Sequence, residues 1–249
     1  MEPVRVQKYI SDCGLCSRRA AEAAILVGRV TVDGLPATIG QKIDPERQTV
    51  ALDGVPVRRA AGERHYLLFN KPRGVVTTLA DEKGRRSVYD FVRDLPYRVY
   101  PVGRLDMHSD GLLLLTDDGD LAAFLTHPRH EIKKNYLVTV RGAVDAATLA
   151  RLQKPFLLDG YATKPAAVTV EKQTENETVL TVVIHEGRNR QIRRMCRAVG
   201  LTVLRLTRVA VGEIRLGDLP AGAFRPLTES EIAYIKGKEQ TSHDRRQTH

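Results

Sequence analysis

The stretch Val102-Gly-Arg-Leu-Asp-Met-His-Ser-Asp-Gly-Leu-Leu-Leu-Leu-Thr-Asp-Asp-Gly119 decides how this chain is read. Just upstream, Tyr97 to Val102 is an apolar run that reads as a strand ending in glycine, after which a loop presents Arg104 and Asp106. Leu112 to Leu115 returns as a short buried strand, closed by Asp118-Gly119. The pattern predicts a hairpin with a carboxylate and a guanidinium at its tip, braced by two apolar strands. Such a tip suits chemistry, and it equally suits an ordinary solvated loop; this stretch alone does not separate the two.

Working outward, Asp118 or Asp120 can cap a helix through Leu121, Phe124 and Leu125, which Pro128 ends. On the other side, Tyr66-Leu-Leu-Phe-Asn-Lys-Pro-Arg-Gly-Val-Val-Thr-Thr78 reads as a strand, a Pro-Arg-Gly turn and a second strand, with Lys71 and Arg73 beside the turn. Val88 to Val92 is too short to assign. Further on, Asn135 to Val140, Ala166 to Val170 and Thr178 to Ile184 read as strands, and Asp145 caps a helix carrying Leu149 and Leu152. Thr228-Glu-Ser-Glu231 has the spacing of a capping box at the start of a last helix. Strands outnumber helices without βαβ alternation, so the class is α+β with a mainly antiparallel mixed sheet flanked by helices and loops.

The second informative stretch is Glu186-Gly-Arg-Asn-Arg-Gln-Ile-Arg-Arg-Met-Cys-Arg-Ala-Val-Gly200. At a helical period Ile192, Met195, Cys196 and Val199 share one face, and Arg190, Arg193, Arg194 and Arg197 the other. Arg188, Arg205 and Arg208 extend the charge, and no acidic residue interrupts Gly187 to Gly212. A solvated basic face normally carries glutamates for i,i+4 pairing. Their absence, with the paired hydrogen bonds that guanidinium makes to phosphate, points to anion binding. No Trp or Phe stands on the apolar side, which argues against a membrane-surface helix.

Residues 1–60 form a smaller, helix-rich unit. Val6, Tyr9 and Ile10 have helical spacing up to Gly14, Ser17 caps a second helix, and strands follow at Arg29 to Val32 and Thr49 to Leu52. Lys8, Arg18 and Arg19 cluster where the two helices meet. Residues 61–64 read as the end of a polar linker, 65–236 as the larger domain and 237–249 as a disordered polar tail. With 249 residues and 42% hydrophobic content the chain can build a core, and a net charge of +9 calls for a polyanionic partner. Three cysteines and no signal-peptide or membrane-spanning run suggest a cytoplasmic protein.

Cys13-Gly-Leu-Cys16 lacks the further ligands of a zinc site and reads as a pair of small buried thiols at a helix break. Asp106-Met-His-Ser-Asp-Gly111 imitates the start of a calcium loop, but position twelve is Asp117 and leucines fill the interval, so no metal is expected.

Two resemblances complete the reading. Arg5-Val-Gln-Lys-Tyr-Ile, Gly14-Leu-Cys-Ser-Arg-Arg-Ala-Ala-Glu and Gly28-Arg-Val-Thr-Val-Asp-Gly resemble the RNA-binding domain of the ribosomal-protein S-four type, which implies that Lys8, Ser17, Arg18 and Arg19 face RNA. Asn70-Lys-Pro-Arg-Gly, Gly103-Arg-Leu-Asp-x-x-Ser-x-Gly-Leu-Leu, Lys134-Asn-Tyr-Leu-Val and Glu186-Gly-Arg-Asn-Arg-Gln-Ile-Arg-Arg-Met are similar to the RsuA/RluB branch of the ribosomal RNA pseudouridine synthases. That likeness implies isomerisation of a uridine in ribosomal RNA, of the large subunit before the small, by a monomer with no cofactor and no metal. It also implies Asp106 as the catalytic aspartate. Around it would stand Arg104, Tyr136 beside the base, Arg193 paired with the aspartate, and Leu206 lining the pocket. Lys71, Arg73, Arg188, Arg190, Arg194 and Arg197 would hold RNA. The reading that competes is a non-catalytic ribosomal-RNA-binding or ribosome-assembly factor, which every basic feature would serve equally.

Overall fold

The computed structural model of the chain describes residues 3–58 and 64–247. It divides into two compact units, one of residues up to Arg64 with Pro96–Arg98 and Asp117–Gly119, the other holding the rest.

In the first unit, β1 (Val4–Arg5) leads into α1 (Val6–Asp12) and α2 (Arg18–Leu26). Ser17 caps α2 as expected, its hydroxyl accepting from the Ala20 N–H at 3.1 Å. Strands β2 (Val30–Val32), β3 (Leu35–Pro36), β5 (Val50–Leu52) and β6 (Val55–Pro56) form a four-stranded sheet, while β4 (Lys42–Ile43) pairs with β1. Val6, Ile10, Ala21, Ile25, Val30, Ile43 and Val50 make its core. Ala20 and Val27, apolar residues at the two ends of this helix, are exposed. Cys13 and Cys16 are only partly buried, and desolvation raises both thiols above the usual range.

The second unit is built on a nine-stranded mixed sheet. Its elements are β7 (Tyr66–Lys71), α3 (Tyr89–Val92), β8 (Tyr100–Pro101), β9 (Asp110–Thr116), α4 (Gly119–Thr126), β10 (Lys134–Arg141) and α5 (Ala146–Leu152). The hairpin β11 (Leu157–Leu158) and β12 (Tyr161–Ala162) follows, then β13 (Ala167–Gln173), β14 (Glu177–Ile184), α6 (Gln191–Ala198), β15 (Val203–Val211), β16 (Ile214–Arg215), β17 (Phe224–Pro226) and α7 (Glu229–Gln247). The strand order is β13-β14-β10-β15-β9-β7-β17, with β16 on β15 and β8 on β9. Each of these pairs is antiparallel except β9 with β15. Leu68, Leu112 and Leu114 meet Leu121, Phe124 and Leu125 of α4 and Ile235 of α7 in the core.

Three expectations are corrected. The second strand after Pro72-Arg73-Gly74 does not form: that segment makes one isolated bridge, Val76 with Ser87. Its hydrogen bonds go elsewhere, Gly74 donating to the Met107 carbonyl at 2.7 Å. The strand expected over 97–102 shortens to β8, which pairs Tyr100 with Thr116 and Pro101 with Leu115. The tail expected to be disordered from 237 continues α7 to Gln247, since 237–247 is rich in polar residues that favour helix and holds no proline. The capping box at the head of that helix is reciprocal. Glu231 accepts from the Thr228 N–H (2.8 Å) and Thr228 Oγ1 accepts from the Glu231 N–H (3.2 Å).

One close approach fixes the topology. Gly111, at φ +102, lies against the backbone of Arg208, and a Cβ there would sit 2.8 Å from the Arg208 nitrogen. Only glycine lets β9 pair with β15 at Asp110 with Thr207 and Gly111 with Arg208.

Gly111→Ala is expected to destabilise the protein by on the order of 3 kcal/mol in denaturant titrations, because the strands must part and the backbone is strained. Wild-type stability would show that the strands yield. Glu231, held below the usual carboxylate range by Arg225 first and then the Thr228 N–H, contributes stability at neutral pH that is lost as pH falls through its folded-state value. Glu231→Gln should therefore lower stability by about 1 kcal/mol at pH 7, with the difference fading on acidification. A difference that persists under acid would assign the effect to packing.

Candidate active site

The site is built on the loop between β8 and β9, which carries Asp106. Several bonds hold that loop from different segments. Thr77 Oγ1 donates to the Leu105 carbonyl at 2.7 Å and accepts from the Leu105 N–H at 3.2 Å. Gly74 N–H donates to the Met107 carbonyl at 2.7 Å, and Ser109 N–H turns back to the Asp106 carbonyl at 3.0 Å. Arg193 Nη2 donates to the His108 carbonyl at 2.7 Å. A loop clamped this way holds its carboxylate at low entropic cost.

A second segment, Glu186 to Gln191, supplies the facing cations. Glu186 is buried, and its Oε1 accepts from the Lys164 N–H (2.9 Å) and from Gln191 Nε2 (3.0 Å). Gln191 Oε1 in turn accepts from the Arg188 N–H at 3.1 Å. Arg190 sits in the left-handed region (φ 49) just ahead of α6, and its Nη1 lies 3.7 Å from Asp106 Oδ2. At this distance and exposure the pair is worth little to stability.

The contact expected of Arg193 therefore belongs to Arg190. Arg193 is one turn further into α6, and its guanidinium is engaged by the His108 carbonyl. It still feels Asp106: burial and Arg190 push its pKa down, and Asp106 pulls it up. Lys71, expected to contact RNA, is fully buried; its ammonium donates to the carbonyls of Pro72 (2.9 Å) and Val75 (2.7 Å). Burial drives that ammonium down to about 8 against the pull of Asp110 and Asp106. Arg194 forms two bonds with Asp159, at 2.6 and 2.7 Å, and Arg188 stacks over the Tyr161 ring. Arg73 and Arg197 are exposed, as are Ser17, Arg18 and Arg19 in the first unit, where Lys8 pairs with Asp12 at 2.7 Å.

Asp106, Arg104, Tyr136 and Leu206 line one cavity of about 330 Å³ together with Arg188 and Arg190, while Arg193 is not part of its wall. The size suits a small flat ring. Two further cations, Lys134 and Arg208, also line it. The sequence counts Arg208 only among the arginines that extend the charge and gives Lys134 no role of its own; their spacing of two from Leu206 and Tyr136, which puts each on the same strand face as its neighbour, is the signal that could have found them. Burial, then Arg208, pushes the Lys134 ammonium down to about 8. Among the described residues no cluster of His, Cys, Asp and Glu could hold a metal ion, and no helix is long and apolar enough to cross a membrane.

The family model described as RNA pseudouridylate synthase matches residues 65–198, and that of the S4 domain matches residues 4–48. An uncharacterized RNA pseudouridine synthase of Aquifex aeolicus is 41% identical over 94% of each chain. Ribosomal large subunit pseudouridine synthase B of Bacillus subtilis is 39% identical over 93% of this chain and 95% of that one. A solved pseudouridylate synthase matches with a TM-score of 0.66 and 32% identity, over 93% of this chain and 99% of the other. A carboxylate on a clamped loop, an aromatic ring and a basic rim thus occur in a chain that belongs to the RNA pseudouridylate synthases, enzymes that isomerise uridine in RNA, and that carries an S4 domain ahead of the catalytic one.

Proposed function

We propose that this protein converts one uridine of large-subunit ribosomal RNA to pseudouridine, with Asp106 reacting at the ribose of a nucleotide swung into the cavity. The observation that carries it is that Asp106 is the one carboxylate, among the described residues, that lines this cavity. Breaking the glycosidic bond and rejoining the base through carbon asks for one carboxylate at the sugar, as nucleophile or as base. A glycosidase uses two facing carboxylates, and the nearby Asp110 is instead bonded to Arg205 at 3.1 Å.

Extruding the target costs a few kcal/mol, offset by contacts in the pocket. Tyr136 offers a stacking face, Leu206 an apolar wall, and the exposed Arg104 can occupy the space the base vacates. Arg73, Arg188, Arg190 and Arg197 take phosphates in the catalytic unit; Lys8, Ser17, Arg18 and Arg19 take RNA in the S4 unit. Arg194 serves the fold through Asp159 and is left out of that set. The large-subunit assignment takes its support from the Bacillus relative's name. The protein acts as a monomer in the cytoplasm.

RNA tritiated at uracil carbon 5 should release its label one for one with the pseudouridine formed, leaving strands intact and of unchanged mass. Free uracil, broken strands or retained label would contradict the reaction. Pseudouridine mapping of ribosomes from cells lacking the protein should show a missing site in the large subunit, and a missing small-subunit site would overturn the assignment. Replacing Arg18 and Arg19 with alanine should weaken RNA binding and flatten its dependence on log salt by about one per arginine. An unchanged slope would remove them from the RNA face.

A further inference from the structure

Lys134 and Arg208 stand on neighbouring strands, and the register sets Tyr136 opposite Arg208 and Val138 opposite Leu206. Alternation puts Lys134 with Tyr136 on one face of β10, and Leu206 with Arg208 on one face of β15. All four line the cavity that holds Asp106. Arg208 is 5% exposed. Its Nε donates to the Leu112 carbonyl at 2.7 Å, and Lys134 Nζ donates to the Ile132 carbonyl at 2.9 Å. Among the described residues neither pairs with a carboxylate, and the cavity's own acid, Asp106, contacts Arg190. Two like charges, one buried and one half-buried, without a counter-anion are costly, and an anion entering between them relieves that cost.

The walls say which anion. Leu114, Leu125, Ile184 and Val211 line the same cavity as these cations, and an apolar lining suits a flat base. Phosphates suit the exposed arginines at the rim. We propose that Lys134 and Arg208 stabilise the negative charge on the departing uracil, a role that rests on this cavity receiving the target nucleotide.

When the bond between N1 and C1′ breaks, its electron pair stays on the base and spreads over O2 and O4. The ammonium and guanidinium donate to those oxygens, more strongly to the anion than to the neutral ring. The base turns, C5 gives an electron pair to C1′, the proton on C5 passes to solvent water, and N1 takes one up from water. Atoms and charge balance, and no co-reactant is needed.

The test compares RNA carrying uridine with RNA carrying 5-fluorouridine at the target, since fluorine withdraws electrons and makes the base a better leaving group. Consumption of the target nucleoside is followed in single turnovers by complete digestion and mass spectrometry. Lys134→Met and Arg208→Gln are expected to slow uridine consumption by about 100-fold or more, with RNA affinity within about threefold of wild type. Their defect on 5-fluorouridine should be at least about tenfold smaller, and Lys134→Arg should recover most of the uridine rate. Equal defects on both bases, or a loss confined to RNA affinity, overturns the inference while leaving the assigned reaction intact. Wild-type protein that consumes neither nucleoside overturns both. Melting curves of the variants verify folding, and should Lys134→Met not fold, Lys134→Arg and Arg208→Lys compared on the two bases decide alone: base-independent defects contradict the role.

Discussion

The parallel contact between β9 and β15 is the constraint on which the catalytic unit depends. It exists because Gly111 has no side chain where the backbone of Arg208 passes. Two consequences follow from that one approach. The loop ahead of β9, with Asp106, is drawn beside the strand that carries Leu206 and Arg208. The antiparallel pairing of β15 with β10 then brings Lys134 and Tyr136 to the same cavity. Residues from three separate parts of the sequence, around 106, 134–136 and 206–208, thus converge on one cavity.

Around this frame, polar groups serve position more than stability. Thr77 bonds the Leu105 backbone in both directions, Glu186 gathers a backbone amide and the Gln191 amide, and Lys71 caps carbonyls that the Pro72-Arg73-Gly74 turn leaves open. Each is buried and bonded, so each holds a segment of backbone in place. The arginines divide in the same way. Arg193 and Arg194 are spent on His108 and Asp159, which leaves Arg188 and Arg190 lining the cavity wall. A stretch that is uniformly basic in sequence is therefore split between building and binding.

Much of the fold was legible because local signals were strong. The Ser17 cap, the Asp145 cap and the Thr228–Glu231 box all stand where short-range side-chain chemistry puts them. The strands β10 and β14 follow their alternation. What was not legible depended on contacts between segments. Helical periodicity put Arg190 and Arg193 on one face, but a single left-handed residue before α6 decides which guanidinium reaches Asp106. Lys71 beside a turn looks like a solvated cation until backbone carbonyls enclose it. The valines after Gly74 have strand propensity, yet the Gly74 N–H donates to the Met107 carbonyl and the Val76 N–H to the Arg86 carbonyl. In the cavity, Asp106 was readable from its motif, whereas Lys134 and Arg208 acquire meaning only once two strands are laid side by side.

The account stands on the carboxylate of Asp106, and its substitution by the isosteric amide isolates that group. Single-turnover isomerisation and RNA affinity of Asp106→Asn should be measured side by side with wild type. Pseudouridine formation is predicted to vanish while the RNA dissociation constant stays within about threefold, since a group spent on the reaction contributes little to uniform binding. Turnover near the wild-type rate would contradict the account.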